Sequence, residues 1–149
     1  MKAKTTWVLV ADGARARGFA RHGTDSSLVA IPDGTFVHEV ERVSAMGTDR
    51  PGRVRESADT AHHAIAPHVD WRREGKRSFA HALADWLEQR ARERTYDRLI
   101  LVAAPRTLGD LRAALGANAR ERLAGELAKD LTAHPAADIE EHLRRAELL

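Results

Sequence analysis

The sequence predicts a single α/β domain, and three features of the chain lead to that class. The N-terminal half consists of short β-branched segments separated by turn signals, which is typical of a β-meander. Residues 78–94 have the period of an amphipathic helix. Residues 98–104, RLILVAA, are continuously apolar after the first arginine, as in a central strand covered on both faces. With 149 residues, one domain buries a sufficient core without disulfides or a structural metal.

The first strand is predicted over residues 5–11, where apolar and β-branched side chains follow one another. Asp12-Gly13 is a strong hairpin signal, so the next segment is expected to return beside this strand. Side chains alternate along a strand, and Arg15 and Arg17 therefore share one face of the return strand.

A second hairpin is predicted within residues 28–43. The segments 28–31 and 35–43 lie on either side of Pro32-Asp33-Gly34, a triplet rich in turn-forming residues. Together with the first hairpin, this completes an N-terminal β-meander.

Residues 44–76 have no sustained hydrophobic period and are predicted to form a long basic loop. Between Arg50 and Arg77 there are seven lysine and arginine residues and four carboxylates, a local balance of +3, whereas the whole chain carries only +2. A loop of this length inside a compact domain is usually functional or disordered. The loop is therefore the first candidate for a functional surface.

The C-terminal half predicts alternating helices and strands. The helix over residues 78–94 leads into the apolar strand, and Thr107 with Asp110 resembles a capping box at the start of the next helix. Residues 123–131 fit either a helix or a strand, because a leucine at every fourth position lies on one face of both. A terminal helix is predicted over residues 136–148.

Composition excludes several classes of function. The chain has no cysteine, so it has no disulfide framework, thiolate zinc site or cysteine nucleophile. The near-neutral total charge argues against bulk binding of polyanions but allows a local basic patch. No segment approaches the roughly 20 apolar residues of a membrane span, and the N-terminal apolar run is too short for a signal peptide. These features fit a cytoplasmic location, and no cofactor or metal is expected.

The strongest functional candidates are the cations of the loop. Arginine binds phosphate through two parallel hydrogen bonds, and each neutralised phosphate releases counterions. The residues concerned are Arg53, Arg55, Arg72, Arg73 and Lys76. The alternative is a solvated loop in which these cations pair with neighbouring carboxylates.

Three further arginines extend the candidate anion-binding set. Arg15 and Arg17 would widen the basic face, although charged side chains also protect sheet edges from aggregation. Arg106 follows the apolar strand at the start of a helix, where free N–H groups favour an anion. The simpler interpretation of that position is a strand-to-helix turn capped by Thr107.

A second group of residues is a candidate for organising the loop or for acid–base chemistry. Its members are Asp12, Glu56, Ser57, His62 and His63. A histidine that holds the loop onto the sheet is the favoured interpretation, and a general base near neutral pH is the alternative. Adjacent histidines rarely point the same way and no metal-ligand spacing is present, so no metal site is predicted. Asp12 is interpreted first as a turn residue, and no nucleophile-elbow motif surrounds Ser57.

Several segments, in order along nearly the whole chain, resemble the bacterial host-attachment protein family. They are WVLVADGARARGFA near the start, GRVRESADTAHHAI in the loop, and FAHALADWLEQ, YDRLILVAAPRTLGDLRAAL and ELAKDLTAHP in the second half. That family is similar to the middle domain of archaeal and eukaryotic peptide-release factors. The resemblance implies a mixed β-sheet with helices on both faces, and it implies that residues 123–131 form a strand.

In release factors, the loop before the first large helix carries a Gly-Gly-Gln motif that positions the water for cleavage of peptidyl-tRNA. The corresponding loop here has no such motif, and the first glutamine of the chain is Gln89. The resemblance therefore implies contact with ribosomal RNA or transfer RNA through the basic loop, without hydrolysis. Two alternatives stay open: a protein-interaction factor connected with attachment to host cells, and a hydrolase acting on an anionic substrate. An enzyme is the less favoured class.

Overall fold

A computed structural model describes residues 3–24, 27–38 and 65–149, and the side chains of residues 65–74 lie outside the description. The strands and helices alternate after an all-β start. In chain order they are β1 (Thr5–Ala11), β2 (Arg15–His22), β3 (Val29–Val37), α1 (Ile65–Arg92), β4 (Arg98–Ala103), α2 (Pro105–Ala114), α3 (Ala117–Arg122), β5 (Leu123–Leu127) and α4 (Ala136–Arg145).

The five strands form one mixed sheet in the order β3-β2-β1-β4-β5. The first three strands make an antiparallel meander, whereas β1, β4 and β5 run parallel. The α/β class, the N-terminal meander and the mixed sheet are therefore confirmed. The strand interpretation of residues 123–131 is confirmed for Leu123–Leu127, which pairs with β4.

Helices cover both faces of the sheet, as the resemblance implied. Leu9 and Leu101 face the layer that contains α1, α2 and α3. Val8 and Ile100 point to the opposite face, which is covered by α4. Because the two central strands are buried on both sides, their sequences are almost continuously apolar and β-branched.

An aromatic stack fixes α1 to the sheet. The ring of Trp7 lies between those of Trp86 and Tyr96, with centroid distances of 5.0 Å and 4.8 Å. The hydroxyl of Tyr96 donates a hydrogen bond of 2.8 Å to the carbonyl of Leu87 in α1. Burial raises the pKa of Tyr96 well above its ordinary value, so the phenol stays neutral and the hydrogen bond persists.

The predicted second hairpin is wrong. Both of its segments within the described residues belong to β3 and pair with β2, where Phe19 is opposite Ala30 and Arg17 is opposite Thr35. The residues between Ala30 and Thr35, including Pro32, form a bulge in this edge strand. Proline lacks the N–H that a central strand needs, but an edge strand with a bulge accommodates it. Residues 39–43 lie outside the described part of the chain.

The predicted boundary between the loop and the first large helix is also wrong. The helix begins at Ile65 and not near Ser78, so residues 65–76 of the predicted basic loop are helical. Pro67 and Gly75 indicated a loop, yet Pro67 falls in the first turn, where backbone N–H groups have no partner within the helix. The rest of the predicted loop, up to residue 64, lies outside the described residues.

The second helix begins without the predicted capping box. Pro105 is its first residue and Ala104 its N-cap, which provides no side-chain hydrogen bond. Proline favours the first helical position because its fixed backbone angle suits the helix and its missing N–H has no role there. This early start places Thr107 inside the helix.

A glutamate of α1 caps the short helix α3. The N-cap of α3 is Gly116, which has no side chain to accept from the first amides. Instead, Oε1 of Glu88 accepts from the amide of Ala119 at 2.9 Å, and Oε2 accepts from Nδ2 of Asn118 at 2.7 Å. A Cβ at Gly116 would lie 2.6 Å from the Glu88 carboxylate, so the glycine makes room for the cap.

Replacing Glu88 with alanine should therefore destabilise the protein. We expect the free energy of unfolding to fall by about 1 kcal/mol, the typical contribution of a helix cap, as measured by urea denaturation. Glu93→Ala is the matched control, because Glu93 lies on the same chain segment and bonds Gln89 and Arg90 near the end of the same helix. Equal losses in the two variants would show that Glu88 has no special capping role.

Candidate functional site at the carboxyl edge of the sheet

The carboxyl-terminal ends of β1, β4 and β5 meet at one edge of the sheet because these strands are parallel. We call this region the carboxyl edge. In open α/β sheets, ligands bind in the crevice outside such an edge. Three segments emerge there: the turn Asp12–Ala14, the start of α2 at Pro105, and residues 128–135 before α4.

Asp12 organises the first of these segments. Its Oδ1 accepts hydrogen bonds from the amides of Ala14 (2.7 Å) and Arg15 (2.8 Å), which closes the turn between β1 and β2. Its Oδ2 lies 3.2 Å from Nε of Arg15 and 3.1 Å from the hydroxyl of Thr132. The first predicted hairpin is confirmed, and Asp12 is its turn residue.

The environment of Asp12 favours its charged form. Burial alone would raise the pKa of this carboxyl, but the hydrogen bonds from Ala14, Arg15 and Thr132 together outweigh it and hold the pKa below the ordinary 3.8. A carboxylate with a lowered pKa is a poor proton acceptor near neutral pH. Asp12 is thus suited to positioning and not to general-base catalysis.

Thr132 connects the turn to the segment after β5. Its hydroxyl lies 2.6 Å from Oδ1 of Asp130 and also within hydrogen-bond distance of Asp12, so a single proton is shared between two carboxylates. The Thr132 side chain is buried. No periodicity or motif marks the contact of Thr132 with Asp12 in the sequence, because it spans 120 residues, whereas Asp130 is only two positions from Thr132.

Arg17 is committed to the fold. Its Nη1 donates to the carbonyl of Thr132 at 2.9 Å and to that of His134 at 2.6 Å. The guanidinium also lies 5.0 Å from the ring centroid of Phe19. Arg17 therefore fastens the segment before α4 onto β2, and its charge is directed into the protein.

Lys76 of α1 packs against the same turn. A Cβ at Gly13 would lie 2.7–2.9 Å from three methylene carbons of Lys76, so the glycine lets the lysine stem lie directly against the turn. Lys76 is exposed, and within the described residues it forms no ion pair. Arg15, two residues after Gly13, has a side chain that is 55% exposed. Two cations that are distant in sequence thus lie beside one turn.

His38 joins α1 to the end of β3. Its Nε2 lies 2.7 Å from the carbonyl oxygen of Gly75, and its ring stacks on Phe79 at a centroid distance of 5.5 Å. Its amide donates to the carbonyl of Ala14 at 2.6 Å. The sequence predicted a histidine in this type of role but favoured His62 and His63.

The other predicted site residues lie partly inside and partly outside the described part of the chain. Arg106 is exposed at the second position of α2, and Arg72 and Arg73 lie in α1 within the turn before Lys76. Outside the described residues are Arg53, Arg55, Glu56, Ser57, His62 and His63. Over the described ranges, no group of three or more His, Asp or Glu side chains is arranged to hold a metal ion.

The hydrogen bonds of Asp12 predict a specific dependence of stability on pH. A carboxyl whose pKa is lowered by folding adds stability above its unfolded pKa of about 3.8, and this contribution disappears as the pH falls through the folded pKa. Asp12→Asn keeps an acceptor for the two amides but removes the charge.

We therefore expect the unfolding free energy of wild type to be higher than that of Asp12→Asn. The difference between the two proteins should be larger at pH 6 than at pH 3. Urea denaturation of both proteins at the two pH values measures this difference. A difference that stays constant between them would contradict the charged role of Asp12.

Comparison with known proteins identifies a family. The family model described as "Protein required for attachment to host cells" matches residues 7–143. No protein among curated relatives matches the chain significantly. None of the helices in the described ranges is long and apolar enough to cross a membrane.

Proposed function

This chain belongs to the family of proteins required for attachment to host cells, and we propose that it acts by binding RNA at the carboxyl edge. The observation that carries the proposal is the packing of Lys76 against Gly13, beside the exposed Arg15. This contact joins the basic end of α1 to the turn after β1. The surface that carries the exposed side chains of Arg15 and Lys76 is called the basic surface below.

The local electrostatics support a polyanion as the ligand. Asp12 holds Nε of Arg15, and no described residue bonds the Nη1 and Nη2 atoms of that guanidinium, so these atoms can bind a phosphate. Arg53 and Arg55 of the predicted loop would add two further cations at the approach to α1. Because the rest of the chain is close to neutral, binding would be confined to this surface.

Ribosomal RNA or transfer RNA is the proposed class of partner. The support is the resemblance, inferred from the sequence alone, to the middle domain of peptide-release factors, in which the corresponding loop approaches RNA. Peptidyl-tRNA hydrolysis is not part of the proposal, because the chain has no Gly-Gly-Gln sequence. A cytoplasmic location follows from this choice of partner.

A protein-interaction factor connected with attachment is the second candidate. It is favoured by the edge strand β3, in which Val29 and Val37 are 60% and 51% exposed. An edge strand with apolar side chains is able to pair with a strand of another protein. The bulge at Pro32 limits this pairing to the strand ends.

A hydrolase acting on an anionic substrate has weaker support. Such an enzyme would need Asp12 as a base close to the loop histidines His62 and His63. The carboxylate of Asp12 already accepts hydrogen bonds from Ala14, Arg15 and Thr132. We therefore assign Asp12 to positioning the basic surface.

Removing the two described charges tests the RNA proposal. In Arg15→Gln/Lys76→Met the side-chain stems stay in place while both cations are lost. We expect the affinity for ribosomes or bulk transfer RNA to fall about tenfold or more at low salt. The slope of log affinity against log salt should become shallower by the equivalent of up to about two phosphate contacts. Co-sedimentation across a salt series measures both.

The control is Arg92→Gln/Arg145→Met, which also removes two exposed arginines, one at the far end of α1 and one on α4. We expect this variant to bind like wild type. No association of folded wild type at any salt would overturn the proposal, and equal losses in both double variants would mean that the binding is nonspecific.

A further inference from the structure

A second pair of cations lies at the opposite edge of the sheet. In the strand register, Thr6 of β1 is paired with Arg21 of β2 on one side and with Arg98 of β4 on the other. Paired residues of neighbouring strands project to the same face. Because Val8 faces α4 and side chains alternate along β1, Thr6 and both arginines lie on the α4 face.

Arg21 is buried, and no described residue supplies it with a counter-charge. Only 8% of the residue is exposed, and its Nη2 donates to the carbonyl of Thr24. Its Nε is buried and has no hydrogen-bond partner within the described residues. Arg98 is half-buried, and its Nη1 reaches the hydroxyl of Thr6 at 3.4 Å.

Glu140, a buried carboxylate of α4, already accepts hydrogen bonds from other groups. Oε1 of Glu140 accepts from the amide of Leu28 at 3.1 Å, and its Oε2 accepts from Nη2 of Arg144 at 2.5 Å. Across the described ranges, no carboxylate forms an ion pair with Arg21 or Arg98.

A buried arginine needs an anion more strictly than a buried lysine does. Lysine relieves burial by losing its proton, whereas a guanidinium has a pKa above about 12 and keeps its charge. A cation withdrawn from water is unfavourable unless it is paired and hydrogen-bonded. The arrangement of Arg21 is therefore incomplete on its own, and the second arginine beside Thr6 increases the local positive charge.

We propose that Arg21 and Arg98 bind a small tetrahedral oxyanion of the phosphate class at this edge. The buried Nε of Arg21 would donate to one oxygen and the guanidinium of Arg98 to another, with the Thr6 hydroxyl between the two strands. This site is separate from the basic surface and does not depend on the RNA proposal. Its burial suits a free anion or the terminal phosphate of a small molecule, not an RNA backbone.

Thermal unfolding of the full chain in inorganic phosphate tests the site. A ligand that binds only the folded state raises the Tm with increasing concentration. We expect the Tm of wild type to rise in phosphate above its value in chloride of equal ionic strength, and to keep rising with the logarithm of the phosphate concentration above the Kd. A second series with a nucleoside monophosphate shows whether a phosphate group on a small molecule is accepted as well.

Two variants separate this site from general charge effects. Arg21→Met should abolish the phosphate response while its Tm in chloride is equal to that of wild type or higher, because an unpaired buried charge is replaced by an apolar side chain. Arg98→Met should weaken the apparent phosphate affinity about tenfold. Arg15→Gln/Lys76→Met should keep the wild-type response. If Arg21→Met does not fold, calorimetric titration of phosphate into wild type and Arg98→Met decides the question.

The proposal is overturned if phosphate and chloride give wild type the same Tm, or if Arg21→Met retains the full response. Asp25 follows Arg21 by four positions and lies outside the described residues. A loss of stability in Asp25→Asn, together with a wild-type Tm that phosphate does not change, would instead assign the counter-charge to Asp25.

Discussion

The parallel pairing of β1 with β4 fixes the centre of the sheet and the position of the carboxyl edge. Val8 and Val10 of β1, and Ile100 and Val102 of β4, are completely buried. A shift in register would move such side chains out of both apolar layers, so the pairing is strongly fixed. Because Ala11 is opposite Ala103, the turn that begins at Asp12 and the start of α2 emerge side by side. The carboxyl edge is thus a direct consequence of the most hydrophobic part of the sequence.

The cations of this protein have two different uses. Several arginines donate to backbone carbonyls: Arg17 to residues 132 and 134, Arg120 to residues 112 and 115, and Arg122 to residues 96 and 118. These side chains replace hydrogen bonds that helix ends and connections would otherwise lack. Arg15 and Lys76 are exposed, and they remain accessible to a partner. A count of charges along the chain therefore overestimates the charge available for binding.

Features with a strong local cause could be predicted from the sequence. The apolar run over residues 98–104 predicted the central strand because burial on both faces leaves no alternation. Asp12-Gly13 predicted the first turn because the aspartate closes it through its own side chain. The same local reasoning failed at Pro32-Asp33-Gly34, where pairing with β2 incorporates a turn-like triplet into an edge strand as a bulge. It also failed at Pro67, because a proline in the first turn of a helix resembles a proline in a loop.

The candidate site was predictable only in part, because its contacts join residues that are distant in the chain. Arg15 and Lys76 were among the predicted cations, but their common position beside Gly13 depends on how α1 crosses the sheet edge. The contact of Thr132 with Asp12, and that of His38 with Gly75, join residues that are distant in the chain and carry no motif. Arg21 was not predicted as a site residue, since only its burial without a counter-charge among the described residues distinguishes it from other strand arginines.

Amide hydrogen exchange of the wild-type chain, with and without ribosomal RNA at low salt, tests whether RNA binds at the carboxyl edge. The exchange rates locate the bound surface without any substitution in the protein. RNA bound at the carboxyl edge should slow exchange in the turn Asp12–Arg15 and in α1 up to Lys76, with little change in α3 and α4. Protection centred on α4 or on the edge strand β3, or no protection by RNA at all, would contradict it.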